Sequence, residues 1–264
     1  MVPSPASATR KRTIHSSPAD PAPRRPEAVT ASRRYAVYLA PPAESALWRF
    51  GSSVLGYDAE TGAEPAAPDL AGFDAETWRD VTAEPRRYGF HGTLKAPFRL
   101  ATDRGEPDLS AALAALAAEH HPFELPPLAV RALGPFIALV PPAPMPTLAE
   151  VARCAVLDLD PLRAPLTEAE IAKRRPERLT ARQCEYLGTY GYPYVLEEYR
   201  FHMTLTGPLP EAERGRALNA LAEAFAASGA EVPVTIAELG LYVQERPGTR
   251  FRLVERIALG SGRP

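Results

Sequence analysis

A His-x-Thr motif occurs twice in this chain, each time within a stretch of eight residues. The stretches are FHGTLKAP at 90–97 and FHMTLTGP at 201–208, and they match at five of the eight positions. Two of the five histidines in the chain occupy equivalent places in this repeat. A repeated match of this length is rarely accidental, so we interpret the two stretches as equivalent parts of two related halves.

Alternation along an extended strand predicts which of these side chains share a face. Successive side chains of a strand point to opposite faces, so His91, Thr93 and Lys95 are expected on one face. His202 and Thr204 share a face in the second stretch for the same reason. The opposite faces carry mainly apolar residues and suit a core. Two such strands side by side would line a cleft with two His–Thr pairs.

These residue types suit the cleavage of phosphoesters without a metal. Imidazole titrates near neutral pH, so one histidine can accept a proton while the other donates one. Threonine hydroxyls can donate hydrogen bonds to phosphate oxygens, and a neighbouring cation can stabilise the charge that develops there. We therefore predict that His91, Thr93, His202 and Thr204 are catalytic. The sequence does not distinguish the acid from the base, and two ordinary strand faces are the alternative that the repetition disfavours.

The two motifs, each preceded by Phe and followed by Leu, resemble those of the 2H (two-histidine) phosphoesterase superfamily. That superfamily includes cyclic nucleotide phosphodiesterases and RNA 2′,3′-cyclic phosphate enzymes. Further segments resemble its uncharacterised branch found in phosphonate-utilisation operons, and together they cover essentially 35–264. These segments are YAVY at 35–38, LWRFG at 47–51, AEPRRYGFH at 83–91, LKAPF at 94–98, RAPL at 163–166 and GYPYV at 191–195.

The resemblance implies a bilobal α+β fold. Two βαββ-type lobes with antiparallel sheets, related by a pseudo-two-fold axis, would enclose a central cleft. It also implies a hydrolase of phosphoric ester bonds that acts on a small cyclic phosphodiester, such as phosphoribosyl 1,2-cyclic phosphate in phosphonate catabolism. One departure is Gly92, which stands where the branch usually has a slightly larger residue on the core-facing side. We expect no loss of function from it.

Four further residues are predicted to bind substrate. Lys95 is one of only three lysines and lies on the predicted face of His91, and Arg87 extends that face. Arg163 and Tyr194 are implied mainly by the resemblance, and Tyr192 and Tyr194 would stack on a sugar or base. An ordinary surface lysine and ordinary loop packing stay open as alternatives for Lys95 and Tyr194. The basic segment 173–182 is interpreted as a solvated helix face, with substrate recruitment as the alternative.

Two other functions stay open. One is an RNA-end enzyme acting on 2′,3′-cyclic or 2′-5′ linkages, similar to a 2′-5′ ligase, and the other is a non-catalytic nucleotide or phosphate-binding protein. Residues 1–34 carry seven basic and two acidic side chains, whereas residues 35–264 carry 23 basic and 30 acidic ones. The acidic body disfavours a long nucleic-acid partner. Two intact His–Thr pairs disfavour a protein that only binds.

Composition fits a globular protein, since 45% of the 264 residues are apolar and 23% are charged. No His, Cys, Asp and Glu set has the spacing of a metal site, so we predict neither metal nor cofactor. No apolar run is long enough for a membrane span and no secretory signal is visible. With only two cysteines, the prediction is a cytoplasmic protein with no membrane association and no obligate protein partner.

The chain is expected to have two parts. Residues 1–34, rich in Pro, Ala and Arg, are predicted to be a disordered tail, with a transit peptide as the alternative. Residues 35–264 are predicted to be a single bilobal domain, in which the order strand–helix–strand–strand occurs twice. Segment 56–84 is predicted to be mostly loop, anchored by Trp78. Strands are expected near 35–40, 87–95, 126–133, 135–141, 199–206, 232–244 and 250–259, and helices after Ser45 and near 109–121, 147–159, 166–188 and 211–227.

Overall fold

The computed structural model describes Met1 and residues 33–260. Strands and helices alternate along this part of the chain. The strands are β1 (Arg34–Leu39), β2 (Gly92–Phe98), β3 (Phe123–Leu125), β4 (Ala129–Leu133), β5 (Phe136–Val140), β6 (Met203–Thr204), β7 (Val234–Ile236), β8 (Glu238–Gln244) and β9 (Arg252–Ala258). The helices are α1 (Ala46–Leu55), α2 (Ala75–Val81), α3 (Ala83–Arg86), α4 (Glu106–Ala118), α5 (Pro146–Asp158), α6 (Glu168–Lys173), α7 (Ala181–Tyr190) and α8 (Glu211–Ala227). Short 3-10 turns lie at Asp160–Leu162, Pro176–Arg178 and Leu196–Glu198.

Seven of these strands form one sheet in the order β4-β5-β6-β2-β1-β8-β9. Every neighbouring pair in it is antiparallel. Strands β3 and β7 form a separate antiparallel ribbon. The predicted α+β class with antiparallel sheets is confirmed.

The two His-x-Thr motifs meet at the centre of the large sheet. Strands β2 and β6 are neighbours there, and Gly92 lies opposite Met203. These are the middle residues of the two motifs, so a pseudo-two-fold axis passes between them. The two strands of the β3–β7 ribbon are related by the same axis. Strand β3 follows α4, the helix after the first motif, and β7 follows α8, the helix after the second motif.

Each half of the chain completes the sheet of the other. The hairpin β4–β5, which follows the first motif, pairs with β6 of the second motif. The hairpin β8–β9, which follows the second motif, pairs with β1 beside β2. The helices are exchanged in the same way, since α4 packs against β9 and α8 packs against β4 and β5. The two motif strands are therefore held in the interior of the sheet.

The phenylalanine before each histidine packs on a glycine. Phe90 is fully buried, and a Cβ atom on Gly51 of α1 would lie 2.1 Å from its ring. Phe201 is half-buried, and a Cβ atom on Gly92 would lie 2.3 Å from its ring. The small residue at position 92 is thus explained by close packing, because the ring of Phe201 occupies the space of a side chain there.

The boundary of the predicted tail needs a correction at its last two residues. Arg33 forms ion pairs with Glu106 and Glu245, and Arg34 is the first residue of β1. Both residues therefore belong to the folded part, because partners distant in sequence hold them there. Residues 2–32 of the predicted tail lie outside the described residues.

The helix predicted over 166–188 is divided into α6, a 3-10 turn and α7. The division falls at Arg175, which has a φ of 50° and precedes Pro176. Proline disfavours helical backbone in the residue before it and lacks the amide hydrogen that would continue the ladder. The segment predicted as loop over 56–84 contains α2 and the start of α3. Trp78 anchors this segment, because its ring is buried and its Nε1–H donates to the carbonyl of Val54 at 2.8 Å.

Both motif strands are displaced from their predicted limits. The strand predicted over 87–95 begins at Gly92 and continues to Phe98, because Gly89 adopts a φ of 75° and turns the chain just before it. The strand predicted over 199–206 is reduced to Met203–Thr204. The histidines of the two motifs therefore lie immediately before their strands rather than within them.

Candidate active site

The two His–Thr pairs line one cleft with a volume of 320 Å³. Thr93 lies in β2 and Thr204 in β6, and His91 and His202 immediately precede these strands. The pairing of Gly92 with Met203 is what brings them together, because it sets the two motifs antiparallel and side by side. All four side chains are half-buried, so they are held by the fold and still open to a ligand.

Both imidazoles are held in the same way by the backbone. The Nδ1–H of His91 donates to the carbonyl of Gly89 at 2.8 Å, and the Nδ1–H of His202 donates to the carbonyl of Arg200 at 2.8 Å. In each case the acceptor lies two residues earlier in the chain. This hydrogen bond fixes the tautomer of a neutral imidazole and leaves Nε2 as its proton acceptor.

The hydroxyl of Thr93 donates to Nε2 of His91 over 3.2 Å. The first pair is therefore a hydrogen-bonded unit. A ligand oxygen that accepts from the Thr93 hydroxyl would free Nε2 of His91 to accept a proton.

Aromatic rings enclose His91. The ring of Tyr38 stacks on it with centroids 3.7 Å apart, and Tyr88 and Tyr242 lie with centroids at 6.3 Å. Burial lowers the pKa of His91 to about 4, and the charge of His202 lowers it further while the bond to Gly89 opposes the shift. His91 is therefore neutral at neutral pH and able to accept a proton.

The lowered pKa of His91 predicts a pH dependence of stability. An unfolded histidine has a pKa of about 6.5, so the unfolded state binds the extra proton between that value and about 4. The contribution of neutral His91 is fully present above pH 6.5 and is lost as the pH falls toward 4. In urea titrations at pH 7 and pH 5, wild type should lose more free energy of unfolding than His91→Gln. Equal losses in the two proteins would contradict the burial of a neutral His91.

Lys95 does not face the cleft, contrary to the prediction. Tyr38 pairs with Thr93 but Val37 pairs with Lys95, so Leu94 is an extra residue that forms a β-bulge. The bulge shifts the alternation, and both Leu94 and Lys95 are buried. The Lys95 ammonium donates to the carbonyl of Val156 at 2.9 Å and lies 3.6 Å from the carboxylate of Asp160, and burial lowers its pKa to about 8. It is a structural contact between β2 and α5.

Two other predicted cations also lie outside the cleft. Arg163 pairs with Asp160 at 2.8 Å and donates to the carbonyl of Thr189 at 2.8 Å, which fixes it beneath the end of α7. Arg87 is exposed and does not line the cleft, because the chain turns at Gly89 before the strand begins.

Tyr194 lies in a hollow of 470 Å³ that adjoins the cleft. Thr93 and His202 line both spaces. The ring of Tyr194 is 47% exposed and meets Tyr192 edge-on at 5.7 Å. This place is near enough for the predicted contact with a substrate, which stays a prediction.

The cleft contains residues that the sequence patterns did not single out as its lining. Arg34, Tyr38 and Arg174 line it, as does Tyr192, for which the sequence left both stacking on a sugar or base and ordinary loop packing open. Arg34 was assigned to the tail, and Arg174 to a solvated helix face. A signal was present for Tyr38, since it shares a face of β1 with Arg34 and the chain resembles the branch there. For Arg174 the signal was the basic segment 173–182, whose alternative interpretation was substrate recruitment.

Neither a metal site nor a membrane span is found in the part of the chain that the structure describes. Within residues 33–260, no group of three or more His, Cys, Asp or Glu side chains is placed to hold a metal ion. No helix in the same range combines the length and the apolar character needed to cross a bilayer. The prediction that the protein needs no metal and no cofactor stays a prediction.

Paired His-x-Thr motifs on one cleft give the arrangement that the resemblance to the 2H phosphoesterases implies. A family model described as "Protein of unknown function (DUF1045)" matches residues 93–252. Because the match spans more than half of the chain, the chain belongs to this family.

Two relatives share 40% identity with this chain, and each is named "Ribose 1,5-bisphosphate phosphokinase PhnN". The protein from Janthinobacterium sp. (strain Marseille) aligns over 233 residues, which are 85% of this chain and 50% of the relative. The protein from Laribacter hongkongensis (strain HLHK9) aligns over 228 residues, which are 86% of this chain and 52% of the relative. The chain thus spans about half the length of these curated relatives. Their names agree with the resemblance to a branch associated with phosphonate metabolism.

Solved structures with a similar fold include LigT-like 2H phosphoesterases. Apo LigT of E. coli has a TM-score of 0.41 and 15% identity, and covers 87% of this chain and 98% of its own. LigT of E. coli complexed with 3′-AMP has a TM-score of 0.40 and 15% identity, with 87% and 99% covered. A structure described as a phosphoesterase has a TM-score of 0.39 and 14% identity, with 87% and 99% covered.

Proposed function

We propose that this chain is a metal-independent phosphoesterase that hydrolyses a small cyclic phosphodiester. Its catalytic residues are His91, Thr93, His202 and Thr204. The observation that supports this most strongly is the pairing of Gly92 with Met203, which sets both His–Thr pairs on one cleft. Two imidazoles with their Nδ1–H groups fixed on backbone carbonyls supply one proton acceptor and one proton donor without further groups.

In this proposal His91 is the general base and His202 is the general acid. Tyrosine rings enclose His91 and its pKa of about 4 keeps it neutral, so Nε2 can take a proton from water. The water oxygen forms a bond to phosphorus while one ring P–O bond breaks. His202 protonates the leaving oxygen, and the product is a phosphomonoester with a new hydroxyl group. The two histidines then return to their starting states by proton exchange with solvent.

The threonines hold the phosphate. When substrate binds, the Thr93 hydroxyl stops donating to Nε2 of His91 and donates to a phosphate oxygen instead. Nε2 of His91 is then free to accept a proton. Thr204 occupies the equivalent position beside His202 and donates to another oxygen. These bonds strengthen as negative charge builds on the phosphate oxygens in the transition state.

Conservative replacement of the threonines tests this role. Thr93→Val and Thr204→Val keep the shape of the side chain and remove its hydrogen bond, so each should raise the activation barrier by about 1.5–3 kcal/mol, the scale of a hydrogen bond to a charged group. Both limbs of the pH profile should survive, since threonine does not titrate in this range. The measurement is kcat/KM against pH, and wild-type values for both variants would remove the threonines from the site.

A ribose cyclic phosphate is the substrate that we propose within this class. Breaking the bond between phosphorus and O2 of a 5-phosphoribosyl 1,2-cyclic phosphate yields ribose 1,5-bisphosphate. That product is the compound in the names of the two relatives, which are about twice as long as the matched region. A chain of this type joined to a kinase would pass its product directly to the next reaction.

The proposed function is tested with a panel of cyclic phosphodiesters assayed after dialysis against EDTA. The panel contains ribose 1,2-cyclic phosphate with and without a 5-phosphate, nucleoside 2′,3′-cyclic phosphates and short RNA with a 2′,3′-cyclic end. We expect turnover of the sugar substrates with chelator present. Activity that disappears with EDTA and returns with a divalent ion would contradict the mechanism. Turnover of RNA ends alone would assign the RNA-end activity, and binding without turnover would assign a non-catalytic protein.

A further inference from the structure

Two arginines line the cleft without a carboxylate partner among the described residues. Arg34 is the first residue of β1, and its Nε–H donates to the amide oxygen of Gln244 at 2.8 Å. Arg174 follows the last residue of α6, and its guanidinium lies 4.9 Å from the centre of the Tyr192 ring. Lys95 and Arg163, the cations predicted to bind substrate, differ from them because both lie within ion-pair distance of Asp160.

Aromatic rings support both guanidinium groups. Arg34 lies 5.4 Å from the centre of the Phe251 ring, as Arg174 lies over Tyr192. Stacking on a ring restrains the guanidinium plane while leaving its edge N–H groups for a ligand. An arginine edge matches the oxygens of a phosphate with two parallel hydrogen bonds. The two groups are therefore prepared to bind an anion.

The charged side chains differ between the two ends of the cleft. Because β2 and β6 are antiparallel, they continue beyond their threonines toward opposite ends of the cleft. Beyond Thr93 lie Ala96 and Pro97, beside the start of β1 that carries Arg34. Beyond Thr204 lies Gly207, and Glu84, a carboxylate of the cleft lining, is next to it. One end is therefore cationic, and the other carries an acidic side chain.

We propose that Arg34 and Arg174 form a second anion subsite, which binds a phosphate group that the substrate carries in addition to the reacting cyclic phosphodiester. This inference rests on the proposed function. The reacting phosphodiester carries a single negative charge and is already provided with two imidazoles and two hydroxyls. Two further guanidinium groups that line the same cleft match a second, more highly charged group there.

The spacing along β1 limits the size of the substrate. Tyr38 stacks on His91, and Arg34 lies four residues before Tyr38, which is about 13 Å between Cα atoms of a strand. The long arginine side chain shortens this separation within the cleft. The two phosphates would therefore be held at the ends of one phosphorylated sugar, and the acidic far end of the cleft would orient it.

The subsite is tested with one pair of substrates, ribose 1,2-cyclic phosphate with and without a 5-phosphate. Wild type should have a kcat/KM at least about 10-fold higher for the phosphorylated sugar, the effect of a charge-assisted hydrogen bond or more. Arg34→Gln and Arg174→Gln should each lower that value about 10- to 100-fold and leave the other substrate within about 3-fold. The matched control is Arg178→Gln, an exposed arginine of the same basic segment that does not line the cleft.

The outcomes separate this inference from the proposed function. Equal kcat/KM for the two substrates, or equal losses on both in the arginine variants, would overturn the subsite while leaving the phosphodiesterase in place. If neither substrate is cleaved, the proposed function fails, and calorimetry with ribose 5-phosphate decides the subsite. Binding that Arg34→Gln and Arg174→Gln abolish and Arg178→Gln retains supports it. Binding that all three variants retain, or that wild type lacks, overturns it.

Discussion

Replacing either His91 or His202 with alanine is expected to lower kcat by at least about 100-fold on a substrate that wild type cleaves, because each removes one of two proton transfers. Loss of His91 leaves water without its base, and loss of His202 leaves the alkoxide without its acid. The double variant should be little worse than either single one, because the two groups act as a unit and one remaining imidazole cannot perform both transfers.

The pH profiles assign the two roles. Wild type should give a bell-shaped plot of kcat/KM against pH, with its acid limb near the pKa of His91, about 4. His91→Ala should lose the acid limb, and His202→Ala should lose the alkaline limb. The opposite pattern would exchange the acid and the base. Near-wild-type turnover in either variant would remove that histidine from the mechanism. Circular dichroism and the melting temperature serve as controls for folding.

Phe90→Ala is expected to lower the free energy of unfolding by about 3–5 kcal/mol, the usual cost of truncating a buried aromatic residue. The Phe90 ring has no exposed surface and packs on Gly51 of α1, so its removal leaves a cavity that a helix backbone cannot easily fill. Urea denaturation at pH 7, compared with wild type, measures the change.

Phe201→Ala is the matched control, because Phe201 holds the same place in the second motif. Phe201 is only half-buried and packs on Gly92 at the surface of the sheet, so its truncation should cost clearly less than that of Phe90. Equal costs for the two variants would show that the halves are packed alike, contrary to the structure. A smaller loss of unfolding free energy in Phe201→Ala would show that the equivalent phenylalanines of the two motifs are buried to different extents.

The sequence was sufficient to predict which four polar side chains lie on one cleft. The repeat of Phe-His-x-Thr-Leu identified His91, Thr93, His202 and Thr204 as one set, and the structure places all four on one cleft. Local patterns were sufficient for most helices as well, because apolar spacing and caps are encoded within a few residues. The helix predicted over 211–227 has those limits in the structure.

Only the tertiary structure decided which cations reach the cleft. Alternation placed Lys95 beside His91, but a bulge at Leu94 turned the lysine into the core, where Asp160 and Val156 hold it. A bulge depends on the pairing with β1, so no local pattern of β2 reveals it. The exchange of hairpins between the halves is equally invisible in the sequence, since it depends on partners more than 60 residues away.

Arg34 and Arg174 show most clearly that a local sequence pattern does not decide which cations line the cleft. One begins a strand next to a Pro-rich and Arg-rich segment, and the other lies in a basic block, so local composition assigns both to solvent. They line the same cleft because β1 pairs with β2 and because the chain turns sharply at Arg175. The sequence determined the two His–Thr pairs, because they belong to a local repeat. The charges that surround them were decided by long-range pairing, because only folding brings residues 140 positions apart to one ligand.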